Sequence, residues 1–186
     1  VSGAGQGIGK SIAKTFAIKK YHVVVVDINA AAAKLVVDEI CEIGESATYF
    51  NSDVSKVDDI EILIERVIAK FGRIDVVINN AGLALGKGPI HESDIQDFEV
   101  MIDTNVKGLL YVSKAILPQM VERNSGFVVN IGSIAGKEVY PNGNVYCASK
   151  HAVDAITKGM RIDLLQHGIK VTQIAPGAAE TEFSIV

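Results

Sequence analysis

The chain has 186 residues, 48% of them hydrophobic and 6% aromatic, enough for a sizeable buried core and too apolar for a disordered segment. Its net charge of −4 leaves no basic face for nucleic acid, and no apolar run reaches the ~20 residues of a membrane span. Cys41 and Cys147 form no C-x-x-C pair, and His22, His91, His151 and His167 lack metal-ligand spacing, so a reduced cytoplasmic protein with no metal is expected.

The chain opens at Val1 inside a glycine-rich turn, Ser2-Gly3-Ala4-Gly5-Gln6-Gly7-Ile8-Gly9, before apolar residues recur at helical spacing from Ile8 to Ala17. Gly-x-Gly-x-x-Gly fails here, whereas Gly-x-x-x-Gly-x-Gly is met by Gly3, Gly7 and Gly9. Such a turn lets a ligand approach the backbone, and the helix start behind it suits a phosphate. The run His22 to Asp27 predicts a buried parallel strand ending in an acid. Asp27 lies about 20 residues past the glycines, where a carboxylate either accepts from an adenosine ribose or caps the next helix, Ala30 to Ile43.

Ala47 to Phe50 predicts a strand leading to Asp53-Val54, where Asp53 serves either the adenine amino group or the turn, and Ser55 with Asp58 signals a helix start. A further strand, Ile74 to Ile78, closes on Asn79-Asn80-Ala81-Gly82, small residues at the carboxyl end where open parallel sheets bind ligands. Ser93 and Gln96 read as a capping box for a helical region through Arg123. Asn105 interrupts its apolar positions beside Gly108, either as a surface residue or as a distortion serving a buried site. Gly126 to Ile131 predicts the strand that delivers Ser133, and Val145 to His167 a helix with an inner stripe of Ala148, Ala152, Val153, Ile156 and Met160. A last strand, Ile169 to Ala175, stops at Pro176-Gly177.

Within Val145 to His167, Tyr146 and Lys150 stand four residues apart, hence on one helical face. A free phenol with a pKa near ~10 is a poor base at neutrality. A cation held against it favours the phenolate and makes general base catalysis plausible.

The unbroken strand–helix alternation predicts an α/β fold with a parallel sheet covered on both faces, and residues 1–186 as one domain. Five stretches together make the sequence resemble the short-chain dehydrogenase/reductase family over essentially its whole length. Gly3, Gly7, Ile8 and Gly9 resemble its cofactor turn, Asn79 to Gly82 its Asn-Asn-Ala-Gly turn, and Asn105, Ser133, Tyr146 and Lys150 its catalytic tetrad. Pro176, Gly177 and Thr181 resemble the loop that closes on the nicotinamide amide. The runs Asn79 to Gly86, Met101 to Asn105, Asn130 to Ser133, Gly143 to Tyr146 and Glu182 to Ser184 are similar to the branch that oxidises 3-hydroxy acids such as serine, allo-threonine or 3-hydroxypropionate.

The resemblance implies a doubly wound Rossmann fold, residues 1–186 as a single dinucleotide-binding and catalytic domain, and a homo-oligomer, dimer or tetramer. It also implies a longer domain, of which this chain lacks most of the first strand, the C-terminal lid and the last strand. Tyr146 then takes the alcohol proton, Ser133 holds the substrate oxygen, Lys150 binds nicotinamide ribose and lowers the tyrosine pKa, and Asn105 positions a relay water. Asp53, Val54, Asn80, Ala81 and Gly82 line the cofactor. NAD is expected over NADP, because a 2′-phosphate ~4 Å from Asp27 costs on the order of 4 kcal/mol at an effective dielectric near 20. A 3-oxoacyl carrier-protein reductase and a non-catalytic nucleotide-binding sensor are the alternatives.

Overall fold

The computed structural model describes residues 1–86 and 88–179. Thr181 and the run Glu182 to Ser184 therefore lie outside the described residues. Helix α1, Gly7–Ile18, leads to strand β1, Val23–Asp27, followed by α2, Ala30–Glu42, and β2, Ala47–Asn51. Then come α3, Val57–Phe71, β3, Val76–Asn79, and α4, Ile95–Ile102. The chain continues as a π-turn, Asp103–Gly108, into α5, Leu109–Glu122. Strand β4, Phe127–Ile131, a 3-10 turn, Ile134–Gly136, helix α6, Asn144–Leu164, a second 3-10 turn, Leu165–His167, and β5, Lys170–Ile174, complete the order.

Among the described residues every strand pair is parallel: β1 with β2, and the middle strand β4 with both β3 and β5. The segment Val1–Ala4 stitches the two sheets. On one side the Val26 amide donates to Val1 O (3.0 Å) and the Ala4 amide to Val26 O (3.1 Å); on the other the Ser2 amide donates to Ile78 O (3.1 Å).

Strand parity explains the layers. Val23 and Val25 of β1 pack with Ala13 and Ala17 of α1 and Ala33, Val36 and Ile40 of α2. Their neighbour Val26 joins Ile60, Leu63 and Val67 of α3, Leu109 and Ile116 of α5, and Val153 and Met160 of α6. Successive strand side chains point to opposite faces, so an unbroken valine run feeds both at once. Each fully buried aliphatic side chain contributes roughly 1.5–3 kcal/mol.

Where β3 and β4 end, polar side chains replace valines in the interior. Paired in register, Asn79 donates to Asn130 Oδ1 (2.9 Å) and Ser113 Oγ (3.1 Å), and Asn130 donates to Thr157 Oγ1 (2.9 Å). This buried ladder ties the ligand-side ends of the central strands to α5 and α6.

Three local expectations are corrected. Asp94, not Ser93, caps α4, accepting from the Gln96 amide at 2.9 Å, while the Ser93 hydroxyl turns back to Pro89 O at 3.0 Å. Ser55 does not start α3, because its amide and hydroxyl both bind Asp53 Oδ1 (2.9 and 2.7 Å) and Lys56 takes the cap position. The inner stripe of α6 runs through Cys147, Lys150, Val153, Thr157, Met160 and Leu164, leaving Ala148 exposed.

Candidate active site

The glycine turn is shaped by backbone needs. Gly3 and Gly7 have φ of 60° and 53°, a region that favours glycine. Asn80 clamps the turn, its amide donating to Ser2 O (3.0 Å) and Gly3 O (2.8 Å), and Ser2 Oγ receives the Asn80 and Ala81 amides at 3.1 Å each. Gln6 caps α1 without a side-chain hydrogen bond, and no acidic residue lies in the first turn. The leading amides of this helix are therefore open to an anion, as a pyrophosphate requires.

A cavity of about 710 Å³ runs from this turn across the sheet ends. Gly3, Gly7, Ile8, Gly9, Asp27, Asp53 and Val54 line one part, Asn80, Ala81 and Gly82 the middle, and Ser133, Tyr146, Lys150, Pro176 and Gly177 the rest. A Cβ on Gly82 would lie 3.4 Å from Lys150 Nζ and 3.2 Å from Asn105 Oδ1, so the missing side chain opens the passage between these parts. These features suit an elongated dinucleotide, phosphates at the helix start and its reactive ring toward Tyr146.

At the far end, Ser133 follows β4 and accepts from the Ala135 amide at 3.1 Å. Its hydroxyl also hydrogen-bonds the Tyr146 phenol. Lys150 Nζ donates to Ile131 O at 3.0 Å and lies 5.8 Å from the centre of the Tyr146 ring. Burial pushes the ammonium from its ordinary 10.5 down to about 8. The expected lowering of the tyrosine pKa is opposed by the protein surroundings of the phenol. Burial, the largest cause, pushes the Tyr146 phenol up and Cys147 adds to this, while the Ser133 hydrogen bond pulls it back.

The buried ammonium carries a stability cost with a definite pH window. The folded pKa lies below the unfolded one, so unfolding takes up a proton between about pH 8 and 10.5. The penalty is full below about pH 8 and relieved as pH rises to 10.5, in all roughly 3 kcal/mol. Urea unfolding of the parent and of Lys150→Met should show the parent gaining on the variant across this window. A constant difference would mean that the ammonium is well solvated.

Asn105 sits behind the cavity wall, 2% exposed, inside the π-turn Asp103–Gly108. The distortion suggested by its place beside Gly108 is thus present, and such wide turns recur at functional sites. Its amide is engaged: Nδ2 donates to Leu83 O (2.8 Å) and Ser149 Oγ (3.0 Å), and Oδ1 accepts from the Leu83 amide (2.8 Å). No N–H remains on that side chain to hold a relay water.

Leu83, from the run Asn79 to Gly86, also lines the cavity, as does Tyr140, which no local pattern in the sequence singles out. Among the described residues no three His, Cys, Asp or Glu side chains form a metal-binding group, and no helix is long and apolar enough to cross a membrane.

A family model described as short chain dehydrogenase matches residues 1–185. The chain is 42% identical to the NADP-dependent 3-hydroxy acid dehydrogenase YdfG of Salmonella typhi over 187 residues, covering all of this chain and 74% of that protein. Among solved structures, the closed form of serine dehydrogenase complexed with NADP+ superposes with a TM-score of 0.94 at 40% identity, over 99% of this chain and 73% of that one. A metagenomic short-chain oxidoreductase in complex with NADP gives 0.92 at 32% identity, over 96% and 81% of the two chains.

These relatives overturn the expected preference for NAD over NADP, since they are NADP-dependent by name or hold NADP. The geometry shows why Asp27 misled. Its Oδ2 accepts from the Gly5 amide (2.8 Å) and its Oδ1 from the Asn29 amide (2.9 Å), so the carboxylate braces the glycine turn and the entry to α2. Two backbone dipoles already solvate the charge that was expected to repel a phosphate.

Proposed function

Because the chain is an oxidoreductase of the short-chain dehydrogenase family, we propose that residues 1–186 form one catalytic unit that oxidises the secondary alcohol of a small 3-hydroxy acid with NADP. Serine and allo-threonine are the leading substrates; both are 3-hydroxy acids, and of the two the relatives' names print serine. The observation that carries the reading is the convergence of Ser133, Tyr146 and Lys150 on the cavity that begins at the glycine turn.

In this reading the uncapped start of α1 holds the pyrophosphate, and Asn80 to Gly82 flank the adjoining ribose. The bound nicotinamide supplies hydride acceptance. Ser133 Oγ holds the substrate oxygen, and Tyr146 Oη removes its proton as the carbonyl forms. Lys150 binds ribose hydroxyls, and as a cation beside the phenol it favours the ionised tyrosine. The protein contributes orientation and electrostatics.

The test is the initial rate of cofactor reduction with serine, allo-threonine and 3-hydroxypropionate, each with NADP+ and NAD+. At least one substrate should turn over with NADP+, about tenfold or more faster than with NAD+, roughly the factor that 1.4 kcal/mol supplies. No reduction of NADP+ by any of the three would remove the substrate assignment.

A further inference from the structure

Ser149 carries none of the assigned chemistry, yet it is fully buried between Tyr146 and Lys150 on the inner face of α6. Its hydroxyl donates to the Tyr146 carbonyl at 2.7 Å and accepts from Asn105 Nδ2 at 3.0 Å. Asn105 spends its other amide hydrogen and its oxygen on the Leu83 backbone, at 2.8 Å each, and Leu83 lines the cavity facing the helix. One continuous set of buried hydrogen bonds therefore runs from the backbone of Tyr146 through Ser149 and Asn105 to the opposite wall.

Two other contacts seat this turn of the helix. Lys150 Nζ reaches Ile131 O at 3.0 Å, and a Cβ on Gly136 would fall 2.6 Å from the Lys150 carbonyl oxygen, so the 3-10 turn backs directly onto α6. Both hold the helix toward β4 and its exit. The Ser149 link ties it to the π-turn and the loop at Leu83.

We propose that Ser149 is a positioning residue, which through the side chain of Asn105 sets the spacing between the Tyr146–Lys150 turn of α6 and the cavity wall at Leu83. The proposal rests on the reading of Tyr146 and Lys150 as the reacting pair. The physical reason is directional. Removing the hydroxyl leaves a buried Asn105 N–H with no acceptor, and it regains one only if the π-turn or the helix shifts. A shift of about 1 Å at the reacting atoms can cost on the order of a hundredfold in rate.

The experiment compares Ser149→Ala, Ser149→Thr, Asn105→Ala and the double variant Asn105→Ala/Ser149→Ala in the full chain. Ser149→Ala should lower kcat by roughly 10- to 100-fold, leave the KM for NADP+ within about threefold, and move a limb of the kcat/KM pH profile. Ser149→Thr, which keeps the hydroxyl, should recover most of kcat. The double variant should be little slower than the worse single one, because both break one link.

A role confined to folding would lower thermal stability while kcat and the pH profile stay put, and that result overturns the proposal. Additive losses in the double variant overturn it as well. Should Ser149→Ala not fold, Ser149→Cys has a similar shape with a much weaker acceptor and carries the same comparison. Failure of the underlying reading shows separately. An active Tyr146→Phe variant removes the reacting pair whatever Ser149 does, whereas an inactive Tyr146→Phe beside a fully active Ser149→Ala removes only the positioning role.

Discussion

Tyr146→Phe should lower kcat by about a thousandfold, within the 10²- to 10⁴-fold range of general acid–base catalysis. NADPH affinity should stay within about threefold of the parent, and a fluorescence titration beside steady-state rates measures both. The substitution keeps the ring above Lys150 and deletes only the oxygen that meets Ser133 and would take the proton. Nothing in the glycine turn or the Asn80 clamp depends on that oxygen. Activity within tenfold of the parent would move the proton chemistry to another group.

Gly9→Ala should damage fold and cofactor site together. A Cβ at this position would lie 2.1 Å from Gly3 O, 2.5 Å from Asn80 Nδ2 and 2.9 Å from Ala4 Cα. Two of these three atoms are backbone, and the third is itself clamped to Ser2 O and Gly3 O. No side chain can rotate away, so the strain falls at about 3 kcal/mol, the upper end for overpacking. For a chain of this size that lowers Tm by roughly 6–12 °C. NADPH affinity should fall by about thirtyfold or more, since the displaced turn carries the amides at the start of α1. Gly159→Ala is the matched control, because a Cβ there meets nothing within 4 Å. Equal behaviour of the two variants would show that the turn adapts freely.

The fold was legible because strands and helices alternate without a break and because runs such as Val23 to Val26 announce strands buried on both faces. The glycine spacing, the Asn-Asn-Ala-Gly turn and the Tyr146–Lys150 separation pointed to stretches that the structure brings to one cavity. What stayed hidden depends on which of several equally suitable partners a polar group meets. Asp27 stood at the right distance from the glycines for a ribose, but spacing does not reveal that the Gly5 and Asn29 amides occupy its oxygens. Ser93 and Asp94 are adjacent residues of similar capping tendency, and only the direction of the chain after Pro89 decides between them.

Electrostatics divided in the same way. A lysine four residues from a tyrosine gives the sign of the charge effect on the phenol, whereas burial acts with the opposite sign and depends on what packs around the ring. Ser149 left no mark at all. A small polar residue inside a helix is ordinary, and its partner Asn105 lies 44 positions away in the chain.

The seam between the two sheets has a thermodynamic consequence. The strip Val1–Ala4 that joins β1 to β3 is also the strip that enters the glycine turn, so a dinucleotide lying along the cavity contacts groups belonging to both halves. Such a ligand binds the folded chain and not the unfolded one, and it adds RT ln(1 + [L]/Kd) to the stability of the fold. At about a hundredfold excess over Kd this amounts to roughly 2.7 kcal/mol, comparable to burying a large aliphatic side chain. Amides of this strip and of β1, Val26 and Ala4 among them, should then exchange with solvent at rates that fall as nucleotide concentration rises, and deep β3–β4 amides that exchange through global unfolding should slow by the same factor.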